Sequence, residues 1–128
     1  MTSFSIKSDN SSDHLSISWK PSRYKFDNAE VEIKAGNFGG KYECEIMSDD
    51  MESLLIELRK LYVSLSGTLE FQAMETQLEL KITGDGRGHF EAECEAQESW
   101  NGSCLIFTLK FDQTHIPRMI RELDEMLS

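Results

Sequence analysis

Residues 88–96 read Gly88-His89-Phe90-Glu91-Ala92-Glu93-Cys94-Glu95-Ala96. Successive side chains of a strand point to opposite faces. This spacing therefore puts Phe90, Ala92, Cys94 and Ala96 on one side and three carboxylates in a row on the other. One face builds a core and the other a negative field. Two further segments repeat the alternation. Glu30 and Glu32 flank Val31 between Ala29 and Ile33, and Glu43 and Glu45 alternate with Tyr42, Cys44 and Ile46. Like charges directly opposed across a sheet cost up to about 1 kcal/mol per pair. Two readings of the acidic faces stand side by side: a solvated exterior, and a surface that uses its charge.

Working outward from this stretch, period-two alternation dominates the chain. It begins at Phe4 and Ile6, continues through Leu15, Ile17 and Trp19, then Val31 and Ile33, then Tyr42, Cys44 and Ile46. These are four strands before residue 47, with Pro21 and the polar run 22–28 between the second and third. The period then changes. Met51, Leu54, Leu55, Leu58, Leu61 and Leu65 recur every three or four residues and predict a helix over 49–64. Ser48 or Asp49 is its expected cap, with acids in the first turn and Gly67 as its stop.

Strands resume at Leu69, Phe71 and Ala73, at Leu78, Leu80 and Ile82, in the acidic segment, and at Leu105, Phe107, Leu109 and Phe111. Gly84-Asp85-Gly86-Arg87-Gly88 reads as the tight turn of a hairpin. A second apolar stripe, Ile116, Met119, Ile120, Leu123, Met126 and Leu127, predicts a helix over 115–127, with Asp112 or Thr114 near its cap and Pro117 in its first turn. The expected fold is α+β: about eight mostly antiparallel strands in one strongly twisted sheet or two abutting sheets, with both helices on the inner face. The order of elements is alike in the two halves, but their residues do not align, and no internal repeat is read.

At 128 residues the chain is expected to form a single domain, residues 1–128, able to bury roughly two thirds of its unfolded surface. Thirteen basic against twenty-three acidic residues give a formal charge of −10, which disfavours nucleic acid as a partner and favours a basic protein surface. The segment 1–12 is polar and Ser-rich, no run is long and apolar enough for a membrane span, and the expected location is the cytoplasm. Cys44, Cys94 and Cys104, each within a strand, read as reduced thiols in or near the core.

Catalytic and metal chemistry find little purchase. His14, His89 and His115 are scattered over separate elements without the close ligand spacing of a zinc site, so no metal and no cofactor is expected. Asp9, Asn10 and Asp13 lack the Gly and the bidentate Glu of a calcium loop. No Ser sits in a nucleophile elbow, and Cys94 lies among glutamates that would keep its thiol protonated. Paired glutamates could serve a small hydrolase, but with so many acids no pair stands out. Trp100, in the polar loop 97–103, is either an apolar anchor for a partner or a ring folded back over the sheet edge.

Several stretches together resemble a family of small bacterial proteins that includes the WapI-type immunity proteins. In the first half these are Asn37-Phe38-Gly39-Gly40, the strand ending at Ile46, Asp49-Asp50-Met51 with Leu54, Leu58 and Leu61, and Gly67-Thr68-Leu69-Glu70. In the second half they are Leu78-Glu79-Leu80, Gly88-His89-Phe90, and Leu109-Lys110-Phe111-Asp112-Gln113-Thr114. The similarity runs from about Phe38 to Leu127, and carries no catalytic motif. Gly67, Gly88, Asp112 and Gln113 match as structural positions. The resemblance implies protection against a toxin, expected to be a nuclease with a basic cleft, by stoichiometric occlusion rather than by catalysis. Glu43, Glu45, Glu91, Glu93 and Glu95 would supply charge and Trp100 an apolar anchor, in a monomer or weak homodimer. The alternatives are the glutamate hydrolase, or a self-associating module that pairs through an uncovered sheet edge.

Overall fold

The computed structural model describes residues 3–20, 27–99 and 101–128. Strands β1 (Ser3–Lys7), β2 (His14–Lys20), β3 (Asp27–Ala35) and β4 (Phe38–Ile46) lead into helix α1 (Ser48–Ser64). Strands β5 (Ser66–Gln72), β6 (Leu78–Asp85), β7 (His89–Gln97) and β8 (Cys104–Asp112) lead into helix α2 (Ile116–Leu127). They form two four-stranded sheets, ordered β1-β2-β3-β4 and β5-β6-β7-β8, with every neighbouring pair antiparallel. Of the two expected arrangements, the chain adopts the pair of sheets. The halves thus repeat one topology, four strands and a helix, although their residues do not align.

The alternation decides which side of each sheet is buried. Phe4, Ile6, Leu15, Ile17, Trp19, Val31, Ile33, Cys44 and Ile46 from the first sheet share one apolar cluster with Leu69, Phe71, Leu80, Ile82, Phe90, Ala92, Leu109 and Phe111 from the second. Met51, Leu54, Leu55, Leu58 and Leu61 of α1 and Ile116, Met119, Leu123 and Met126 of α2 complete it. Helix α1 packs on β5 and on α2, while α2 packs on β1. The Trp19 indole N–H, buried, donates to the Ile46 carbonyl at 3.1 Å and ties β2 to the end of β4.

Helix α2 also covers an edge. Ser5 of β1 donates its backbone N–H to Glu122 at 3.0 Å, and its carbonyl accepts from Arg118 at 3.0 Å. Arg118 and Glu122, one helical turn apart, are themselves paired at 2.8 Å. An edge strand offers a row of unpaired backbone groups, and two side chains of α2 occupy part of that row here.

Two local expectations are corrected, and one turn is new. The residue preceding α1 is Met47, in extended conformation and with no side-chain cap; neither Ser48 nor Asp49 caps the helix, although Asp49 and Asp50 do lie in its first turn. The helix ends not at Gly67 but at Leu65, which turns left-handed (φ 60°) and sends its N–H to the Leu61 carbonyl at 2.8 Å. Gly67 lies inside β5. Between β5 and β6 the chain makes an unanticipated turn at Met74–Thr76, where Glu75 and Thr76 both take positive φ. The start of α2 follows expectation more closely. Asp112 accepts from the Thr114 N–H at 2.9 Å, and Pro117 sits in the first turn. Gln113 donates to the carbonyl of Gly88, a buried glycine at φ 95° where a Cβ would come within 2.6 Å of the Gln113 side chain.

Candidate functional site

The outward faces of the sheets carry the charge. Register places Gln72, Glu79, Glu95 and Ile106 opposite one another across β5 to β8. Glu70, Lys81, Glu93 and Thr108 form the next row, and Thr68, Thr83, Glu91 and Lys110 the third. A shallow hollow of about 470 Å³ spans the first two rows, with Glu70, Glu79, Glu93 and Glu95 against the single cation Lys81. Ile106, 74% exposed, is the apolar residue on its rim.

The expected site residues separate once their neighbours are known. Glu91 is paired with Lys110 at 3.6 Å. Glu93 and Glu95 make no ion pair among the described residues, and Glu95 directly faces Glu79. Both carboxylates are felt nearby: the Cys104 thiol, next to Glu95 at 3.5 Å, is shifted up by desolvation, then by its bond to Glu95 and the charges of Glu95 and Glu79. Cys104 is exposed, which corrects its placement near the core. Its strand turns Leu105, Phe107, Leu109 and Phe111 inward, so residue 104 faces out with Ile106.

On the first sheet, Glu30 and Glu32 share the single cation Lys41, at 3.6 and 3.3 Å. The Lys41 ammonium, then His14, holds the Glu32 carboxyl below its usual range. Glu43 and Glu45 are exposed and form no ion pair among the described residues. They line a second hollow of about 300 Å³ with Asn28, Met74, Glu75 and Gln77. The β5–β6 connection lines the second hollow through Met74, Glu75 and Gln77, while the strand residues on either side of it, Gln72 and Glu79, line the first. Glu43 and Glu45 thus line one hollow, and Glu79, Glu93 and Glu95 the other. Trp100 lies outside the described residues.

Sequence reasoning missed the roles of Glu79 and Glu70, because each is separated from its fellow acids along the chain and joins them only across the register. It also missed a cluster at the other end of β8. His115 Nε2 lies 2.7 Å from Asp9, and both are close to Asp112, whose carboxylate is already engaged by Thr114 and held below its usual range by that contact. The His115–Asp9 contact and the Asp112 capping bond account for this group.

Among the described residues no Asp or Glu is buried. The carboxyls with a clear shift, Glu32, Asp85 and Asp112, all move down, towards stable anions. The two buried thiols move the other way, Cys44 pushed up to about 11 and Cys94 to about 12, each chiefly by burial. With a thiol reagent at neutral pH, only Cys104 is expected to react in the folded protein. Cys44 and Cys94 should appear only on unfolding, so three equivalents consumed at once would contradict the packing.

No helix among the described residues is long and apolar enough to cross a membrane. Comparison with solved structures finds a crystal structure of MRP1/MRP2 from "trypanosoma bruciei", at 14% identity and TM-score 0.56, over 99% of this chain and 84% of that one. At that identity the likeness concerns the fold alone. No curated protein matches the sequence significantly. The model of the Immunity protein WapI-like family matches residues 6–128, extending the resemblance back from Phe38 through the first sheet. With nearly its whole length matched, the chain belongs to the WapI-like family of immunity proteins.

Proposed function

We propose that this protein is a non-enzymatic cytoplasmic antidote that neutralises a cognate toxin, a nuclease with a basic cleft, by covering that cleft one-to-one as a monomer. Family membership supports the immunity role. The observation that carries the surface is the set of carboxylates that form no ion pair among the described residues, Glu79, Glu93 and Glu95 on one sheet and Glu43 and Glu45 on the other, each group lining a hollow. A nuclease cleft is positive because it binds phosphates, and carboxylates on a rigid sheet can occupy phosphate-like positions. Complementary fields raise association rates by factors of about 10 to 1,000, which matters for an antidote that must reach its toxin before the substrate does. Stable anions at the surface suit this role better than acid–base catalysis, which needs a carboxyl tuned towards neutrality.

The test is association with the toxin domain encoded immediately upstream. A one-to-one complex that abolishes nuclease activity, with an on-rate falling steeply as salt rises from low to physiological ionic strength, is the expected result. Binding insensitive to salt, or turnover of any substrate by the isolated chain, would contradict it.

A further inference from the structure

Three of the four edge strands make backbone hydrogen bonds to groups outside their own sheet. On the β1 edge Ser5 meets Arg118 and Glu122, on β8 the Lys110 carbonyl accepts from the Asp9 N–H at 2.9 Å, and at the start of β5 the Ser66 carbonyl accepts from the Ser64 hydroxyl of α1 at 2.8 Å. The fourth is β4, nine residues long. Among the described residues, no backbone group outside its own sheet hydrogen-bonds to Phe38–Glu45; beyond them, the Ile46 carbonyl takes the Trp19 indole. A long strand with this much open backbone is a template for another strand.

The surroundings of β4 say what kind of strand. Hollows lie along both halves of it. One, of about 280 Å³, runs from Phe38 to Tyr42 and is closed on the far side by Ala96, Glu98 and Cys104–Leu105. The other follows Glu43 to Glu45, facing Met74, Glu75 and Gln77. They meet at Tyr42, whose hydroxyl donates to the Gln77 carbonyl at 2.7 Å. Together they hold Glu43, Glu45, Glu75 and Glu98 against the single cation Lys41. Apolar surface is present too, in Phe38 (71% exposed), Tyr42 and Leu105.

We propose that the β4 edge receives an extended segment of the partner toxin, added as a fifth strand to the first sheet, with basic residues alternating with apolar ones. This rests on the toxin-binding reading above and specifies how the contact is made. Main-chain hydrogen bonds supply affinity, and alternate side chains supply selectivity. Basic side chains fall on the side of Glu43 and Glu45, and apolar ones towards the opening at Tyr42 and Leu105. A second copy of this chain fits poorly: antiparallel addition centred on Cys44 would set Glu43 of one copy opposite Glu45 of the other, in a molecule already at −10.

Amide hydrogen exchange on the full chain tests this, alone, with the upstream-encoded toxin domain, and with synthetic octapeptides of alternating lysine and valine or glutamate and valine. Amides of residues 38–45 are expected to slow at least tenfold with the toxin domain and measurably with the lysine peptide, but not with the glutamate peptide. A tight toxin complex that leaves these amides unchanged overturns the strand-addition mode and leaves the toxin-binding reading intact. Absence of any complex overturns both. Slowing of the same amides with rising concentration of the chain alone, alongside a dimer by light scattering, assigns the edge to self-association and sinks the proposal.

Discussion

Truncating Phe111 to alanine should lower the free energy of unfolding by about 3–5 kcal/mol, a large share of the roughly 5–15 kcal/mol that holds a domain of this size together. The reason is its place in the second sheet. Phe111 of β8 directly faces Phe90 of β7, both are essentially buried, and their rings stack with centroids 5.6 Å apart. On the other side of Phe90 lies Gly84, where a Cβ would come within 2.6 Å of the Phe90 ring and 2.5 Å of the Leu65 carbonyl. The space is filled to that tolerance. Adding a methyl group at Gly84 is therefore expected to destabilise as well, by overpacking rather than by a cavity. Thr108→Ala on the exposed face of β8 is the control and should stay within about 0.5 kcal/mol. Urea unfolding followed by circular dichroism measures all three. A loss below about 1 kcal/mol at Phe111 would mean that the two rings are not the packed centre of this sheet.

The burial of each ring, though not their pairing, was legible in the sequence, because Phe90 and Phe111 both sit on the apolar side of a period-two alternation. The same is true of nearly every strand and of both helical stripes. Burial of one face dictates the spacing, and the spacing survives in the chain as written. Whether eight strands close as one sheet or two is a different kind of question. It depends on which edges meet, and here α1 lies against β5 and α2 against β1, an arrangement set by tertiary contact. The left-handed cap of α1 and the Met74–Thr76 turn were missed for a related reason. Leu65, Glu75 and Thr76 adopt positive φ without the glycine that usually announces it, so no local signal existed.

The candidate site was half legible. That Glu91, Glu93 and Glu95 share an exposed face follows from alternation alone, and the structure keeps them there. What alternation cannot reveal is the cross-strand neighbour. Lys110 opposite Glu91, Lys81 opposite Glu93 and Glu79 opposite Glu95 come from register, and register turns three equivalent glutamates into one neutralised, one flanked and one opposed by like charge. Glu30 and Glu32 looked as acidic as Glu43 and Glu45 along the chain, yet the first two share the cation Lys41, which offsets part of their charge.

These distinctions set the expected outcome of charge reversal. Replacing Glu91, Glu93 and Glu95 together by lysine should slow association with the toxin domain by at least tenfold at low ionic strength and flatten the dependence on salt, since steering scales with the local field. Matched reversal of Glu52, Asp124 and Glu125, exposed on the helices, changes net charge equally but leaves the sheet faces intact, and its effect should be much smaller. The separation between the two triples, not the absolute rate, isolates the surface. Single reversals should rank with the surroundings. Glu95, which lacks an ion pair and faces Glu79, should matter more than Glu91, whose charge Lys110 already offsets. Because lysine at residue 91 would itself oppose Lys110, unfolding curves for each variant are needed beside the rates, and the glutamine triple keeps the fold free of that repulsion. Equal slowing by both triples would reduce the acidic faces to a contribution of net charge, and an unchanged rate and salt slope in the sheet triple would remove them from the interface.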